Sequence, residues 1–159
     1  MIILAIDPGP TQSAWLTLNT DTDGIRNADL SPNEQLLAIL HNDVAPATGD
    51  VQRVVIEKVE SFGMPVGVEV FETVFWSGRF AEASRPIRVD RIGRKAVKLH
   101  LCGSMRAKDP NIRQVLLDRY GGSAAKGTKR APGPLYGFAG DLWSALAVAV
   151  TYADLGASS

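Results

Sequence analysis

Three acidic residues stand at the ends of apolar segments, where a carboxylate is poorly placed for a hydrophobic core. Asp7 ends the run IILAID, Glu57 ends the run VVIE, and Asp141 opens the helix-like stretch DLWSALAVAVTY. Three carboxylates brought together repel one another and raise each other's pKa unless a cation joins them. Ligand sets made only of oxygen select hard divalent ions such as Mg²⁺ or Mn²⁺. The pattern therefore predicts a metal site, provided that the fold brings the three residues to one point.

Hydrophobic periodicity and turn residues predict the elements that must position these carboxylates. Ser31 and Glu34 have capping-box spacing and Pro32 fits a first helical position, which predicts a helix through SPNEQLLAILHN. Strands that precede helices, and helices between later strands, are typical of a mixed α/β sheet covered by helices. The remaining predicted elements are strands at 2–7, 13–19, 53–59 and 86–92, and helices near 67–82, 93–102, 110–120 and 138–154.

The formal net charge is zero, but the charges are segregated along the chain. Residues 79–130 hold 14 Lys and Arg against 4 Asp and Glu, whereas residues 1–78 hold 3 against 11. This distribution predicts a basic surface beside an acidic site, which is what a metal-dependent enzyme acting on nucleic acid requires. The alternative is a solvated basic face with no partner.

Other features mainly exclude classes of protein. The length of 159 residues fits one domain, predicted to span 1–159. The single Cys102 excludes an internal disulfide, and no run of about 18 apolar residues is present to span a membrane. With no signal-peptide pattern at the N-terminus, we expect an intracellular protein. The segment 121–137, rich in Gly, Pro and basic residues, is predicted to be a flexible loop that either closes over a phosphate backbone or simply leads into the last helix.

Four segments, in order, resemble the motifs of RuvC-type Holliday junction resolvases, which belong to the RNase H-like superfamily. They are IILAIDPGP, VVIEKVESF, the basic stretch GRKAVKLHLCGSMRAKDPNIRQVLLDRY, and GDLWSALAVAVTY. The resemblance covers nearly the whole chain. It implies an RNase H-like α/β fold with a mixed five-stranded sheet flanked by helices. It also implies a Mg²⁺-dependent endonuclease that works as a homodimer on branched DNA, especially four-way junctions.

The resemblance assigns roles to individual residues. Asp7, Glu57 and Asp141 are expected to hold two divalent ions per active site, one to activate a water molecule and one to stabilise the leaving 3′ oxygen. The aromatic residue with which the family pushes against base pairs has its aligned position at Glu60, and Phe62 is the nearest aromatic side chain. The side chains expected to bind backbone phosphates are Arg94, Lys95, Lys98 and Lys108.

The last motif departs from the family pattern. Its helix usually carries two acidic or His/Asp positions three residues apart, but here the second position is Ser144. A hydroxyl supplies no charge, so the site is expected to contain three strong carboxylates rather than four. Glu60, in the loop after the second motif, is a further candidate ligand, although a solvated loop carboxylate is the simpler interpretation.

Three other functions remain open. A short YqgF-type nuclease acting on structured RNA begins with a similar motif. An actin-like ATPase also has an Asp after an apolar strand, but it needs two such domains, and this chain is too short for both. A catalytically weak module that binds branched DNA would be consistent with Ser144, but DNA binding alone gains nothing from three gathered negative charges.

Overall fold

Five strands form a single mixed sheet in the order β3-β2-β1-β4-β5. The computed structural model describes the backbone of residues 1–48 and 50–157, and the side chains of these residues except 43–48 and 157. Neighbours β1, β2 and β3 are antiparallel, whereas β4 and β5 run parallel to β1. The strands are β1 (Ile2–Asp7), β2 (Gln12–Asn19), β3 (Gly24–Pro32), β4 (Val51–Lys58) and β5 (Val89–Gly93).

Alternating side chains of β1 enter two separate cores on opposite faces of the sheet. Ile3 and Ala5 belong to one buried cluster, and Ile2, Leu4 and Ile6 belong to the other. Because both faces are covered, β1 is apolar at every position before its terminal carboxylate, as expected for a central strand.

Helices cover each face of the sheet. α1 and α2 pack over the face of Leu4 through Leu36, Leu40 and Phe80. α3, α4 and α5 pack over the face of Ala5, and α5 is buried along most of its length. None of the helices within the described residues is long and apolar enough to cross a membrane. The helices are α1 (Asn33–Thr48), α2 (Val68–Ala83), α3 (Arg94–Cys102), α4 (Asp109–Arg119) and α5 (Leu142–Ala157), with a 3₁₀ turn at Gly122–Ala125.

The start of α1 differs from the sequence-based prediction. Ser31 and Pro32 end β3, a strand that the sequence pattern did not predict, and α1 begins at Asn33. The Ser31 hydroxyl accepts a hydrogen bond from Trp15 Nε1 (2.9 Å), so it joins two strands and does not cap the helix. The capping-box prediction is therefore wrong, because a cross-strand partner absent from the local sequence competes for that hydroxyl.

Two later segments also differ. β5 covers Val89–Gly93, three residues later than predicted at its start, and α5 begins at Leu142, so Asp141 immediately precedes the helix. The segment 121–137 contacts the core at Ala125 and Leu135, which are both buried, and the Leu135 amide donates to the carbonyl of Ala125 (2.8 Å). Most of its other residues are exposed. The segment leads into the last helix, and its flexibility stays a prediction.

Candidate active site

Asp7 and Glu57 lie side by side at the carboxyl ends of two parallel strands. Ile6 and Ile56 are register partners in β1 and β4, so the next residue of each strand carries its carboxylate to the same edge of the sheet. Both side chains emerge on the face that α5 covers, because they are two residues beyond Ala5 and Val55 of that core. This edge is where open α/β sheets bind their ligands.

Burial and repulsion make Asp7 hard to ionise. Desolvation is the largest cause, the negative charges of Glu57 and Asp141 add to it, and together they raise the pKa of Asp7 from 3.8 to about 8. The positive charge of Arg94 acts in the opposite direction but does not compensate. In the absence of an added cation, Asp7 therefore holds a proton at neutral pH and shares it with Glu57 in a hydrogen bond.

One oxygen atom of Glu57 is buried with no hydrogen bond from an amide, a hydroxyl or a basic side chain. Desolvation raises the pKa of Glu57, while the neighbouring Arg94 lowers it. Within the described part of the chain, the atom that lacks such a donor is Oε2. A buried, unsatisfied carboxylate oxygen beside a second buried carboxylate is costly unless a cation is present. The pair therefore fits a hard divalent cation.

A cavity of about 280 Å³ opens over the pair. Its walls come from the end of β1, the end of β4 with the following loop, and α2. It is the space in which a phosphate group would approach Asp7 and Glu57. The residues that line it are Asp7, Pro8, Glu57, Lys58, Val59, Glu60, Phe62, Val70, Thr73 and Arg94.

Arg94, which the sequence analysis expects to bind backbone phosphates, lies inside the acidic site. It is the first residue of α3, and its guanidinium is 3.6 Å from Glu57 Oε1. Nη1 donates to the Ser144 hydroxyl (3.1 Å), and Nη2 donates to Asp109. The charges of Glu57 and Asp109 raise the pKa of Arg94 despite its burial. The side chain is a fixed positive charge among carboxylates.

A second cavity, of about 160 Å³, lies on the other side of Arg94 and contains Asp141. Asp141 is exposed, yet its charge raises the pKa of both Asp7 and Glu57. Across the residues that the structure describes, no three His, Cys, Asp or Glu side chains are close enough to share one metal ion. The structure thus pairs Asp7 with Glu57 and sets Asp141 apart from them. The cavity is lined by Arg94, Asp109, Ile112, Arg113, Gly140, Asp141, Trp143 and Ser144.

The residues predicted to contact DNA surround this site at different distances. Phe62 is on the wall of the first cavity, half-exposed, and the Lys95 ammonium lies 4.4 Å from the centre of its ring. Lys98 is one turn after Arg94 on α3, and Lys108 immediately precedes α4. Neither of these two lysines lines the cavities. Glu60 reaches the first cavity but accepts a hydrogen bond from Lys58 (2.9 Å).

Asp109 is a site residue that the sequence pattern did not reveal. It follows Lys108 at the start of α4, where an acidic side chain commonly serves to offset the positive end of a helix. Its partner Arg94 is 15 residues away in sequence, so only the packing of α3 against α4 brings the two together. In the sequence, the neighbouring Pro110 indicated only that a helix starts here, and it gave no sign that Asp109 belongs to the site.

Two solved structures share this architecture. T. thermophilus RuvC in complex with Holliday junction substrate superposes with a TM-score of 0.68 at 17% sequence identity, over 99% of this chain and 96% of that chain. The fold is RuvC-like. A second Thermus thermophilus RuvC structure gives a TM-score of 0.63 at 20% identity, over 98% of this chain and 97% of that one. No family model and no curated protein sequence matches the chain. The predicted five-stranded α/β fold is confirmed, while fold alone does not establish an activity.

Proposed function

We propose that this protein is a metal-dependent endonuclease that cuts branched DNA, with four-way junctions as its principal substrate. The observation that carries the proposal is the buried pair of Asp7 and Glu57, with its unsatisfied oxygen, at the end of the central strands. A protein that only binds DNA has no use for a buried cluster of negative charge, because this charge repels phosphate.

Each charged residue of the site has its own role in the proposed reaction. Asp7 and Glu57 would hold Mg²⁺ or Mn²⁺, and Asp7 must release its proton to do so. When bound, the ion would supply an activated water molecule and neutralise charge on the phosphate under attack. Asp141 adds negative charge from the second cavity. Burial raises the pKa of Glu57, and the positive charge of Arg94 acts against this effect and so favours the ionised form that binds a cation.

DNA contacts are proposed for the basic residues around the first cavity. Lys95, Lys98 and Lys108 would bind phosphates on the strands that flank the cleaved bond, which positions the substrate without reading its sequence. Phe62 has a φ of 52°, a conformation uncommon for a residue with a bulky side chain, and it lies at the entrance to the carboxylates. This position suits an aromatic side chain that stacks on, or separates, base pairs at a branch point.

A homodimer is part of the proposal. Val68, Phe71 and Phe75 form a stripe along α2 at helical spacing, with exposed fractions of 76%, 64% and 58%. Contiguous exposed apolar side chains of this kind mark a protein interface. A second copy is the fitting partner, because symmetric cleavage of a four-way junction needs two active sites that face two strands.

Cleavage assays on a panel of substrates test the proposed function. Purified protein with Mg²⁺ is expected to cut a four-way DNA junction at paired positions, to cut Y-shaped DNA less, and to leave a linear duplex of the same sequence intact. Chelation of the metal should abolish the reaction. Preferential cleavage of structured RNA would indicate the alternative RNA nuclease, and binding without cleavage in Mg²⁺ or Mn²⁺ would contradict the enzymatic proposal.

A further inference from the structure

Arg94 is shared by the two cavities of the active site. Its side chain lines the wall of the cavity that contains Asp7 and Glu57, and also the wall of the cavity that contains Asp141. The guanidinium therefore borders both the space over the buried carboxylate pair and the space that contains the third carboxylate. A cation that joined all three carboxylates would meet its positive charge.

Side chains from three different elements hold the guanidinium in place, one by an ion pair and two by hydrogen bonds. Glu57 on β4 lies 3.6 Å from Nη1, Ser144 on α5 accepts from the same nitrogen, and Asp109 on α4 accepts from Nη2. The Arg94 side chain is only 24% exposed. A planar guanidinium with several simultaneous acceptors is far more fixed than a solvated surface arginine. The position of the guanidinium in the site is therefore fixed by the fold.

Positive charge already occupies the Asp141 side. That side offers two carboxylates, Asp141 and Asp109, together with the neutral hydroxyl of Ser144, and the guanidinium of Arg113 lines it as well as that of Arg94. Asp109 is occupied by its ion pair with Arg94. A divalent ion entering beside Arg94 would meet a like charge at short range, and this repulsion is stronger in a site shielded from solvent than in water. On the Asp7–Glu57 side, a cation can approach Glu57 Oε2 directly. Among the described residues, no amide, hydroxyl or basic side chain donates a hydrogen bond to this atom.

We propose that Arg94 acts as a built-in cation in place of a second metal, so that each protomer binds one divalent ion, at Asp7 and Glu57. This inference rests on the proposed metal-dependent function, and it refines the expectation of two ions. Ser144 supports the same arrangement. Its neutral hydroxyl accepts a hydrogen bond from Arg94 and adds no charged ligand for a metal ion. Arg94 is a positioning residue in this scheme, with Asp109 as its anchor.

Mn²⁺ binding in the absence of DNA tests the inference without relying on activity. Calorimetric titration, with free Mn²⁺ followed by electron paramagnetic resonance, should give one ion per protomer for the unmodified chain. Arg94→Met keeps most of the side-chain volume but removes the charge, and it should bind two ions per protomer. Arg94→Lys retains a positive charge and should stay at one. Arg91→Met, an equal loss of charge on β5 outside both cavities, is the matched control and should also bind one.

Ser144→Asp sharpens the test, because it adds a carboxylate at the Asp141 side. With Arg94 present, the new carboxylate should pair with the guanidinium and the stoichiometry should remain one. In the double variant Ser144→Asp/Arg94→Met, the second ion should bind at least about tenfold more tightly than in Arg94→Met alone, because a carboxylate has been added and the guanidinium that would pair with it has been removed.

The outcomes separate this inference from the function on which it rests. Two ions in the unmodified chain, or an Arg94→Met variant that still binds one ion with unchanged affinity, would overturn the role of Arg94 and leave metal-dependent cleavage intact. No Mn²⁺ binding by the unmodified chain would overturn both. The stoichiometry of the unmodified chain is decisive even if Arg94→Met fails to fold.

Discussion

Arg94 Nη1 and the Ser144 hydroxyl are joined by a hydrogen bond of 3.1 Å, which connects the start of α3 to the first turn of α5 across the active site. Ser144 occupies the position at which the family resemblance of the sequence predicts an acidic residue. The bond explains how this helix tolerates a neutral residue there. The hydroxyl satisfies a donor of the guanidinium, while Glu57 and Asp109 supply the negative charge that balances it.

Ser144→Ala is expected to retain most of the cleavage activity. The change removes one hydrogen bond, worth roughly 0.5–1.5 kcal/mol, and Arg94 keeps its contacts with Glu57 and Asp109. The rate of junction cleavage at saturating Mg²⁺ should therefore fall by no more than about tenfold. Ser77→Ala, on α2 and away from both carboxylate cavities, controls for a general effect of the substitution. A loss as severe as that of Asp141→Asn would mean that Ser144 takes a direct part in the reaction.

Neutral variants of the three carboxylates should separate cleavage from DNA binding. Asp7→Asn and Glu57→Gln are each expected to reduce the cleavage rate by at least about a hundredfold, because they remove the charges that hold the ion. Asp141→Asn should also reduce it, by a smaller factor, because this residue faces the second cavity.

Junction affinity, measured by gel shift in a metal-free buffer, should be unchanged or higher in all three variants, since negative charge near the phosphates is removed. Asp118→Asn, an exposed position on α4, is the matched control. Near-normal turnover in any one of the three variants would exclude that residue from the catalytic site.

The stability of the metal-free protein should fall as the pH rises from about 5 to 8. The pKa of Asp7 is about 8 in the folded protein and 3.8 at its ordinary value, so the folded state binds more protons than the unfolded state within this window. Stability then decreases with increasing pH, because Asp7 ionises readily in the unfolded state while the folded state must keep it protonated, and the contribution is lost by the pH at which the folded carboxyl also ionises. Thermal unfolding in a chelating buffer should give a Tm lower by at least about 4 °C at pH 8.5 than at pH 5.5.

The Asp7→Asn variant isolates this effect from other titrations. The Tm of this variant should depend much less on pH. Subtracting its pH profile from that of the unmodified chain removes the contribution of the ion pair between His100 and Asp154, which both proteins contain. Added Mg²⁺ should raise the Tm most at pH 8.5, where Asp7 has lost its proton. Parallel pH profiles for the two proteins would show that Asp7 does not titrate in this window.

The sequence predicted the buried framework better than the contacts that cross it. The apolar runs that end at Asp7 and Glu57 identified two central strands, because a run buried on both faces is distinctive. The polar strand β3 was missed, since its residues alternate weakly and Ser31 imitates a helix cap. Its strand character depends on pairing with β2, which is a property of the fold.

The candidate site likewise contains residues whose positions the sequence predicts and others whose positions it does not. Asp7 and Glu57 were predictable as neighbours because parallel strands align their ends. The position of Arg94 was not, because a basic residue at the start of a helix is normally a surface residue, and the three partners of this one come from β4, α4 and α5. Asp109 could not be predicted as a site residue for the same reason. Long-range packing alone decides whether a charged side chain enters a site or faces solvent.

Lys98 and Lys108 should contribute to affinity without contributing to sequence preference. Replacing each with Ala is expected to weaken junction binding similarly for junctions of different sequence, and to reduce the salt slope by about 1 for each phosphate that the protein no longer neutralises. Fluorescence anisotropy at several salt concentrations measures both quantities. Arg85→Ala, an exposed basic position that follows α2, is the control. An unchanged slope in the Lys98→Ala/Lys108→Ala double variant would place this surface away from the DNA.

Phe71→Glu should dissociate the proposed homodimer and leave the fold intact. Phe71 is 64% exposed in the centre of the apolar stripe of α2, so the substitution removes no buried side chain but places a charge in the middle of the interface. Light scattering should change from twice the chain mass of 17.0 kDa to that mass, with an unaltered circular dichroism spectrum.

The functional consequence of Phe71→Glu follows from symmetry. A monomer has one active site, so it should nick one strand of a four-way junction and lose the paired cuts that release two duplexes. Leu30→Glu adds the same charge at another exposed apolar position, on the edge strand β3, and should leave both the mass and the paired cuts unchanged. A Phe71→Glu protein that remains dimeric and makes paired cuts would show that the two copies meet through a different surface.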